Sequence, residues 1–384
     1  MTLPDLSPIR AFLDERHAAL ATSVSSFAEL ELRERPEPAD DAAARREART
    51  LLAAMGTAGV LAPLAAMDWR GCCLAREALA AASPLADAVF ALQGLGLVPI
   101  LVSGNAAMRE RWLAPTLDGR AMAAFAMTEP EAGSDVASLA TRARRDSDHY
   151  VLDGGKCFIS NAGIADYYTT FATLDPAAGS RGICCFVVPA DTPGLRFVRS
   201  QVLSAPHPLG EIAFEGCRVP AANRLGEEGK GFALGLKTLD RLRATVGAAA
   251  CGMAARALAE ALAHARSRKQ FGKALGEFQL VQEKLARMAT ELTAARLLVY
   301  RAAHAADSGA ERVTLEAAMA KLHATEAAQR IVDDAVQILG GKGVLASSSV
   351  DRLYRSVRAL RIYEGTSEVQ HLVIAGLLLR DDKA

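Results

Sequence analysis

Residues 128–135 read Thr-Glu-Pro-Glu-Ala-Gly-Ser-Asp, and their chemistry suits the binding of an anion. Pro130 stiffens the turn, and Gly133 lets backbone approach a ligand closely. Thr128 and Ser134 supply hydroxyls that donate or accept hydrogen bonds. The alternative is an ordinary capped loop with Asp135 at a helix N-cap. Lys156-Cys157-Phe158-Ile159-Ser160-Asn161 sets a flat apolar ring two residues before a hydroxyl. Taken alone, Phe158 reads as a core residue of an alternating strand. Arg268-Lys269-Gln270-Phe271-Gly272 offers a guanidinium fork suited to a diphosphate, or a solvated Arg before a glycine cap. Gln337-Ile338-Leu339-Gly340-Gly341-Lys342-Gly343 permits close backbone contact, or simply ends a helix. Ile362-Tyr363-Glu364-Gly365-Thr366-Ser367-Glu368 carries a carboxylate that is either a proton acceptor or a surface turn residue.

Together, in this order and spacing, these segments resemble the acyl-CoA dehydrogenase family of flavoproteins. The first matches its Thr-Glu-Pro-x-Ala-Gly-Ser-Asp signature. The second is similar to Lys-x-Trp-Ile-Thr-Asn, with Phe158 for Trp and Ser160 for Thr. The third resembles Arg-x-x-Phe-Gly, the fourth Gln-x-x-Gly-Gly-x-Gly, and the last Tyr-Glu-Gly-Thr. The likeness runs from about Leu92 to Leu379.

What the resemblance implies is an FAD enzyme that dehydrogenates acyl-CoA thioesters at the α,β bond, with Glu364 as the base. A buried carboxylate beside an apolar acyl chain has a raised pKa, which suits it to a carbon acid. The flavin contacts it implies are Phe125, Met127, Thr128, Gly133, Ser134, Phe158, Ser160, Thr366 and Glu368. Phe271 is a further implied flavin contact, and Arg268 and the run from Gln337 through Gly341 are implied to reach the flavin of a neighbouring subunit. Substrate contacts are implied at Gln93, Leu95, Ser134, Asp240, Leu242, Arg243, Val246, Tyr363 and Gly365, with Asp240 at the pantetheine arm. One branch of the family carries its base at the position held here by Leu242, which cannot take a proton. Implied partners are acyl-CoA, an electron-transfer flavoprotein and further copies of this chain, as a homo-oligomer and most simply a tetramer. A flavin oxidase or monooxygenase of the same fold is the alternative, and a scaffold without flavin is a third reading.

Two stretches depart from the family pattern. Residues 60–71 lack its Pro-x-x-Tyr-Gly-Gly turn, and residues 204–210 read Ser-Ala-Pro-His-Pro-Leu-Gly in place of a Gly-rich run ending Ser-x-Thr. His207, between Pro206 and Pro208, reads as a satisfied loop histidine rather than a catalyst. Glu131 stands where Gly is common.

The implied architecture is α+β and mostly α: an N-terminal helical domain (1–120), a small central β-barrel domain (121–228) and a C-terminal four-helix bundle (229–384). The residues agree with it. Residues 1 to about 120 are rich in Ala, Leu, Arg and Glu, and Ala43 to Met55 and Met108 to Leu117 pattern as amphipathic helices. Tyr150 to Ile159 reads as a hairpin turning at Asp153-Gly154-Gly155, and Ile183 to Val188 and Glu211 to Phe214 read as strands. Phe278, Val281, Leu285, Met288 and Leu292, then Leu315, Met319 and Leu322, recur at helical steps. Leu85 to Val102, broken by Pro99 and glycines, reads as a buried helix-turn-helix rather than a membrane span.

Composition narrows the function. Of 384 residues 51% are apolar and the formal net charge is +0, so nothing points to nucleic acid or a membrane surface. The seven cysteines form no C-x-x-C pair, which suggests neither disulfides nor a metal site. With no leader evident after Met1, a reduced, cytoplasmic protein is expected.

Overall fold

The computed structural model describes residues 5–33 and 35–380. Residues 1–4, where a leader would begin, lie outside the described residues. Six helices come first: α1 (Glu15–Phe27), α2 (Asp41–Thr57), α3 (Ala62–Ala66), α4 (Trp69–Ala82), α5 (Pro84–Ser103) and α6 (Ala106–Leu117). Strands follow: β1 (Ala123–Ala126), β2 (Arg142–Asp146), β3 (His149–Ser160), β4 (Tyr167–Thr173), β5 (Ile183–Pro189), β6 (Leu195–Ser200), β7 (Leu209–Pro220) and β8 (Arg224–Leu225). Helix α7 (Gly231–Ser267) leads to a small hairpin of β9 (Lys269–Gln270) and β10 (Lys273–Ala274). Then come α8 (Gln279–Asp307), α9 (Thr314–Leu339), α10 (Ser349–Leu360) and α11 (Ser367–Leu378). The order is the expected one, helical, then sheet, then helical.

The chain forms two compact units, each drawn from separated stretches: 36–67 with 88–239, and the described part of 1–35 with 68–87 and 240–380.

In the first of these units the sheet runs β6-β7-β3-β2-β4-β5-β8, with β1 parallel to β4. Strands β4 and β5 are covered on both faces, so they read as near-continuous apolar runs. Tyr168, Ala172, Cys184, Phe186 and Val188 enter one core with Tyr150, Leu152, Ile212 and Phe214. Their neighbours Tyr167, Phe171, Ile183, Cys185 and Val187 enter another with Ile100, Met108 and Trp112 from α5 and α6. Period-two alternation thus feeds two cores from the same strands.

The expected hairpin at Asp153-Gly154-Gly155 is instead one strand, β3, paired along its length with β7 and bulged between Leu152 and Gly154. Gly154 holds φ +146°, and a Cβ there would lie 2.8 Å from the Thr141 backbone. Glycine is needed for a bulge, not a turn. The true hairpin joins β2 to β3 across Ser147 and Asp148. The expected helix-turn-helix over Leu85 to Val102 is likewise the single helix α5, with Pro99 inside it. Gly96 does not break it: a Cβ there would come within 2.5 Å of the Ala123 Cβ, so this glycine lets β1 pack close. Helices α5 and α7 are long and apolar enough to cross a membrane, but 83% and 61% of their apolar windows are buried within the protein.

In the other unit α9 packs on α8, α10 and α11. The buried surfaces are dominated by alanine: Ala248, Ala254, Ala257 and Ala261 on α7, Ala295, Ala302 and Ala303 on α8, Ala317, Ala320, Ala324 and Ala327 on α9. Small side chains let helix axes approach closely. The stripe read on α8 is only partly covered, with Met288 buried and Phe278, Val281, Leu285 and Leu292 half-buried. On α9 the buried face is the alanine face, while Leu315, Met319 and Leu322 are half-buried. Most of the buried charged groups in this unit are paired, among them Arg70 with Asp307 and Arg76 with Asp87. Glu77 binds Arg296 at 2.7 Å and accepts from the Tyr300 hydroxyl at 2.7 Å. Matching the charges offsets the cost of such burial.

Candidate active site

The Tyr363-Glu364-Gly365 turn sits between α10 and α11, and its backbone is unusual. Glu364 holds φ +54° and Gly365 φ +91°. A non-glycine residue in the left-handed region costs of order 1–3 kcal/mol and persists only when its surroundings over-determine it. Here three side chains do so. Arg243 Nε donates to the Glu364 carbonyl at 3.3 Å. Gln370 Nε2 donates to the same carbonyl at 3.3 Å and to Gly365 O at 3.1 Å. Lys321 Nζ donates to Gly365 O at 2.7 Å.

These donors hold the backbone and leave the carboxylate alone. Glu364 Oε2 is buried with no hydrogen-bond partner. The Glu364 N–H also makes no hydrogen bond among the described residues. Burial pushes the Glu364 carboxyl above the usual carboxylate range, while the charges of Arg76, Arg243 and Lys321 hold the rise down and Asp87 adds to it. None of these cations forms an ion pair with it: Arg243 is paired with Asp240. Arg76 grips Asp87 at 2.7 and 3.0 Å and donates to Thr245 Oγ1 at 2.9 Å. The result is an unneutralised carboxyl in a cationic surround, the state of a group poised to take or give a proton. Lys321 and Gln370 escape sequence reading. A single lysine on the alanine face of α9 was the signal available for one of them.

On α7, the helix that carries Arg243, Leu242 and Val246 are buried one turn apart. Asp240, beyond its pairing with Arg243, accepts from Thr314 Oγ1 at 2.7 Å. Thr366 caps α11, its Oγ1 accepting from Val369 N at 3.2 Å, and Glu368 is exposed in the first turn.

The sheet unit carries the second set. Phe158 is not a core residue: it is 60% exposed, on an irregularity of β3, at φ +54°. Its N–H donates to Gln201 Oε1 at 2.6 Å, which holds the strained backbone. Two residues on, Ser160 Oγ lies 2.7 Å from His207 Nε2. In the 128–135 segment Gly133 and Ser134 are exposed and their N–H groups have no partner among the described residues. A Cβ at Gly133 would meet nothing within 4 Å, so crowding within the chain does not require glycine there. Asp135 precedes only a short 3₁₀ turn, and its carboxylate accepts from Ser138 Oγ at 2.6 Å. Below, buried Lys156 pairs with Glu129 at 2.7 Å and donates to Met127 O at 3.1 Å. Phe125 is half-buried and tilted against Phe171.

Gln93 differs from its reading as a substrate contact. Its amide is fully buried, donating to Ala121 O at 2.8 Å and accepting from Ala123 N at 2.7 Å. It is spent on securing β1, and leaves no open polar group for a ligand. Leu95, on the same helix, is buried.

Arg268 and Gln337 are exposed and make no side-chain hydrogen bond among the described residues. Phe271 tips the β9–β10 hairpin, 93% exposed at φ +50°. In the Gly-Gly-x-Gly run, Gly340 ends α9 at φ +58°, and Gly343 is needed because a Cβ would come within 2.6 Å of Val336 O. Gly341 has no such reason: a Cβ there would meet nothing.

Three family models match: "Acyl-CoA dehydrogenase, N-terminal domain" over residues 14–120, "middle domain" over 124–217 and "C-terminal domain" over 229–379. The chain belongs to the acyl-CoA dehydrogenase family. Acyl-CoA dehydrogenase-like proteins match along nearly its whole length. It is 39% identical over 377 residues to the 3-(aryl)acrylate reductase of Clostridium sporogenes, covering 96% of this chain and 100% of that one. It is 42% identical over 289 residues to subunit CarC of the caffeyl-CoA reductase–Etf complex of Acetobacterium woodii, covering 73% and 75%. A solved glutaryl-CoA dehydrogenase of Mycobacterium smegmatis in complex with FADH2 superposes with a TM-score of 0.88, at 29% identity and 96% coverage of each chain. As an acyl-CoA dehydrogenase family member the chain is an oxidoreductase acting on acyl-CoA.

Proposed function

We propose that the chain catalyses FAD-dependent α,β-dehydrogenation of an acyl-CoA thioester to the trans-2-enoyl-CoA, with Glu364 as the base. The observation that carries this reading is the Glu364 turn, whose backbone is clamped by Arg243, Gln370 and Lys321 while its carboxyl oxygen stays buried and unpaired.

The residues fit a flavin. Phe158 offers an exposed ring and Ser160 a hydroxyl, while at Gly133 and Gly341 a Cβ would meet no atom of the described residues within 4 Å. The free N–H groups of Gly133 and Ser134 suit an anionic or carbonyl edge. FAD supplies the electron sink for the β hydrogen. Glu364 takes the α proton onto its carboxylate, and its unpartnered N–H is a donor for the thioester oxygen as charge builds there. Arg243 and Lys321 keep the carboxylate aimed. Protonated, the same carboxyl returns the proton to the α carbon, so the site serves enoyl reduction as well, the direction named for the Clostridium and Acetobacterium relatives. Leu95, Leu242, Val246, Tyr363 and Gly365 are proposed to line the acyl group, and Asp240 to meet the pantetheine arm.

An electron-transfer flavoprotein is the proposed electron carrier, supported by the relative that forms a complex with Etf. A homo-oligomer, most simply a tetramer, is proposed from large apolar side chains left uncovered: Phe271, Leu280, Leu372 and Leu379. The cysteines are free and buried, which suits the proposed cytoplasmic location. The deciding experiment is anaerobic bleaching of the FAD-loaded protein by a panel of acyl-CoAs, followed by admission of air. Bleaching that persists until an electron carrier is added supports the dehydrogenase. A folded protein that takes up no FAD overturns the reading.

A further inference from the structure

The segment joining β6 to β7 departs from the family pattern, and it reaches the two residues that the proposed function puts against the flavin. Gln201 holds the Phe158 N–H, and His207 Nε2 lies 2.7 Å from Ser160 Oγ. Resting on that functional reading, we propose that His207 is a positioning residue: it fixes the direction of the Ser160 hydroxyl, and so the hydrogen bond Ser160 offers to the flavin edge.

The placement of the ring is built in. β3 and β7 pair antiparallel with Ser160 opposite Leu209, so His207, two residues before Leu209, is a diagonal neighbour whose ring reaches Ser160. Pro206 and Pro208 restrict the backbone on either side. Asn161 N donates to Pro208 O at 2.9 Å, and Arg45 Nη2 to Leu209 O at 2.7 Å. Arg45 is itself held by Asp41 at 2.7 Å, which also accepts from Ser200 Oγ at 2.7 Å. The loop is therefore tied to β3, to α2 and to the end of β6.

The chemistry of the ring matters as well. Burial and the facing charge of Arg45 pull His207 down to about 4, with Asp41 opposing, so the ring is neutral at physiological pH. A neutral imidazole carries one hydrogen on its two nitrogens, so Nε2 either donates or accepts. The nitrogen at an isoalloxazine edge accepts a hydrogen bond when oxidised and donates one when reduced. Ser160, backed by a nitrogen that plays either part, has a partner in both states. An aliphatic side chain at position 207 would leave the hydroxyl to rotate freely.

The test measures the midpoint potential of bound FAD in the wild type, His207→Ala, His207→Gln, Ser160→Ala and the double variant. A lost hydrogen bond to one redox state changes the oxidised-to-reduced equilibrium by up to about tenfold, about 30 mV for a two-electron couple. The expected result is that His207→Ala shifts the potential, His207→Gln largely restores it, and His207→Ala adds nothing once Ser160 is alanine. A potential unmoved by His207→Ala, or a shift that persists in the Ser160→Ala background, overturns the proposal. Should His207→Ala not fold, an unmoved potential in Ser160→Ala alone overturns it. A wild type that takes up no FAD overturns the functional reading itself.

Discussion

Arg243 touches Glu364 through the backbone and not through charge: its Nε donates to the Glu364 carbonyl at 3.3 Å while its guanidinium pairs with Asp240. The arginine thus fixes the Glu364 turn without neutralising its carboxyl. Had the two formed an ion pair, the carboxyl would sit low and hold its charge too firmly to exchange a proton with carbon.

The Arg243 clamp predicts a separation of binding from chemistry. Arg243→Ala removes a charged donor, a contact worth about 1.5–3 kcal/mol. Flavin reduction by acyl-CoA should slow by roughly tenfold to a hundredfold, while FAD retention stays close to wild type. Rapid-mixing kinetics beside an FAD titration read both.

Gly133 and Gly343 predict opposite behaviour. Gly133→Ala meets no neighbouring atom, so folding stability should change by no more than about 0.5–1 kcal/mol. FAD retention should fall, because the added methyl enters space kept for the ligand. Gly343→Ala would press on Val336 O and should lower the melting temperature. Thermal melts of the apo and FAD-loaded forms separate the two effects.

The family is legible where residues close in sequence carry it, and sequence reading stumbled where packing decides. The 128–135 and 362–368 segments are legible because a turn, a glycine and a polar side chain sit within a few residues. The run Asp153-Gly154-Gly155 carries every mark of a turn, yet Gly154 serves a bulge imposed by Thr141 and by pairing with β7. Gly96 looks like a helix breaker and is a contact point for Ala123. Gln93 looked like an open polar group, and its partners, Ala121 and Ala123, lie some thirty residues away in sequence. The His207–Ser160 contact spans 47 residues, and only the register of β3 on β7 reveals it.

The raised Glu364 pKa makes a stability prediction with a definite sign. A carboxyl whose folded pKa lies above its ordinary value contributes stability below the ordinary value, and that contribution is lost as pH rises through the folded pKa. At neutral pH the wild type therefore bears the cost of a buried charge. Glu364→Gln removes that charge, so the variant should melt higher than wild type at pH 7. Its advantage should shrink as pH falls toward the ordinary value of 4.5. Melting curves of both proteins across pH 4–8 check this.

Arg268 predicts dependence between subunits. Its guanidinium is exposed and without a partner among the described residues, so Arg268→Ala should leave the melting temperature of the apo protein nearly unchanged. FAD retention should weaken, and light scattering should report an oligomer for the wild type. A wild-type monomer that keeps FAD tightly would contradict the proposed assembly.

The central claim is that Glu364 moves the α proton, and reduction of bound FAD by acyl-CoA in Glu364→Gln tests it most directly. The amide keeps the shape of the carboxylate but cannot accept the proton, and Leu242 offers no substitute. General-base catalysis contributes about 10²–10⁴ in rate. Rapid mixing should show a loss at least that large, with FAD and substrate analogues still bound. A rate within about threefold of wild type, near 0.7 kcal/mol, would mean that Glu364 is a structural turn residue and that the base lies elsewhere.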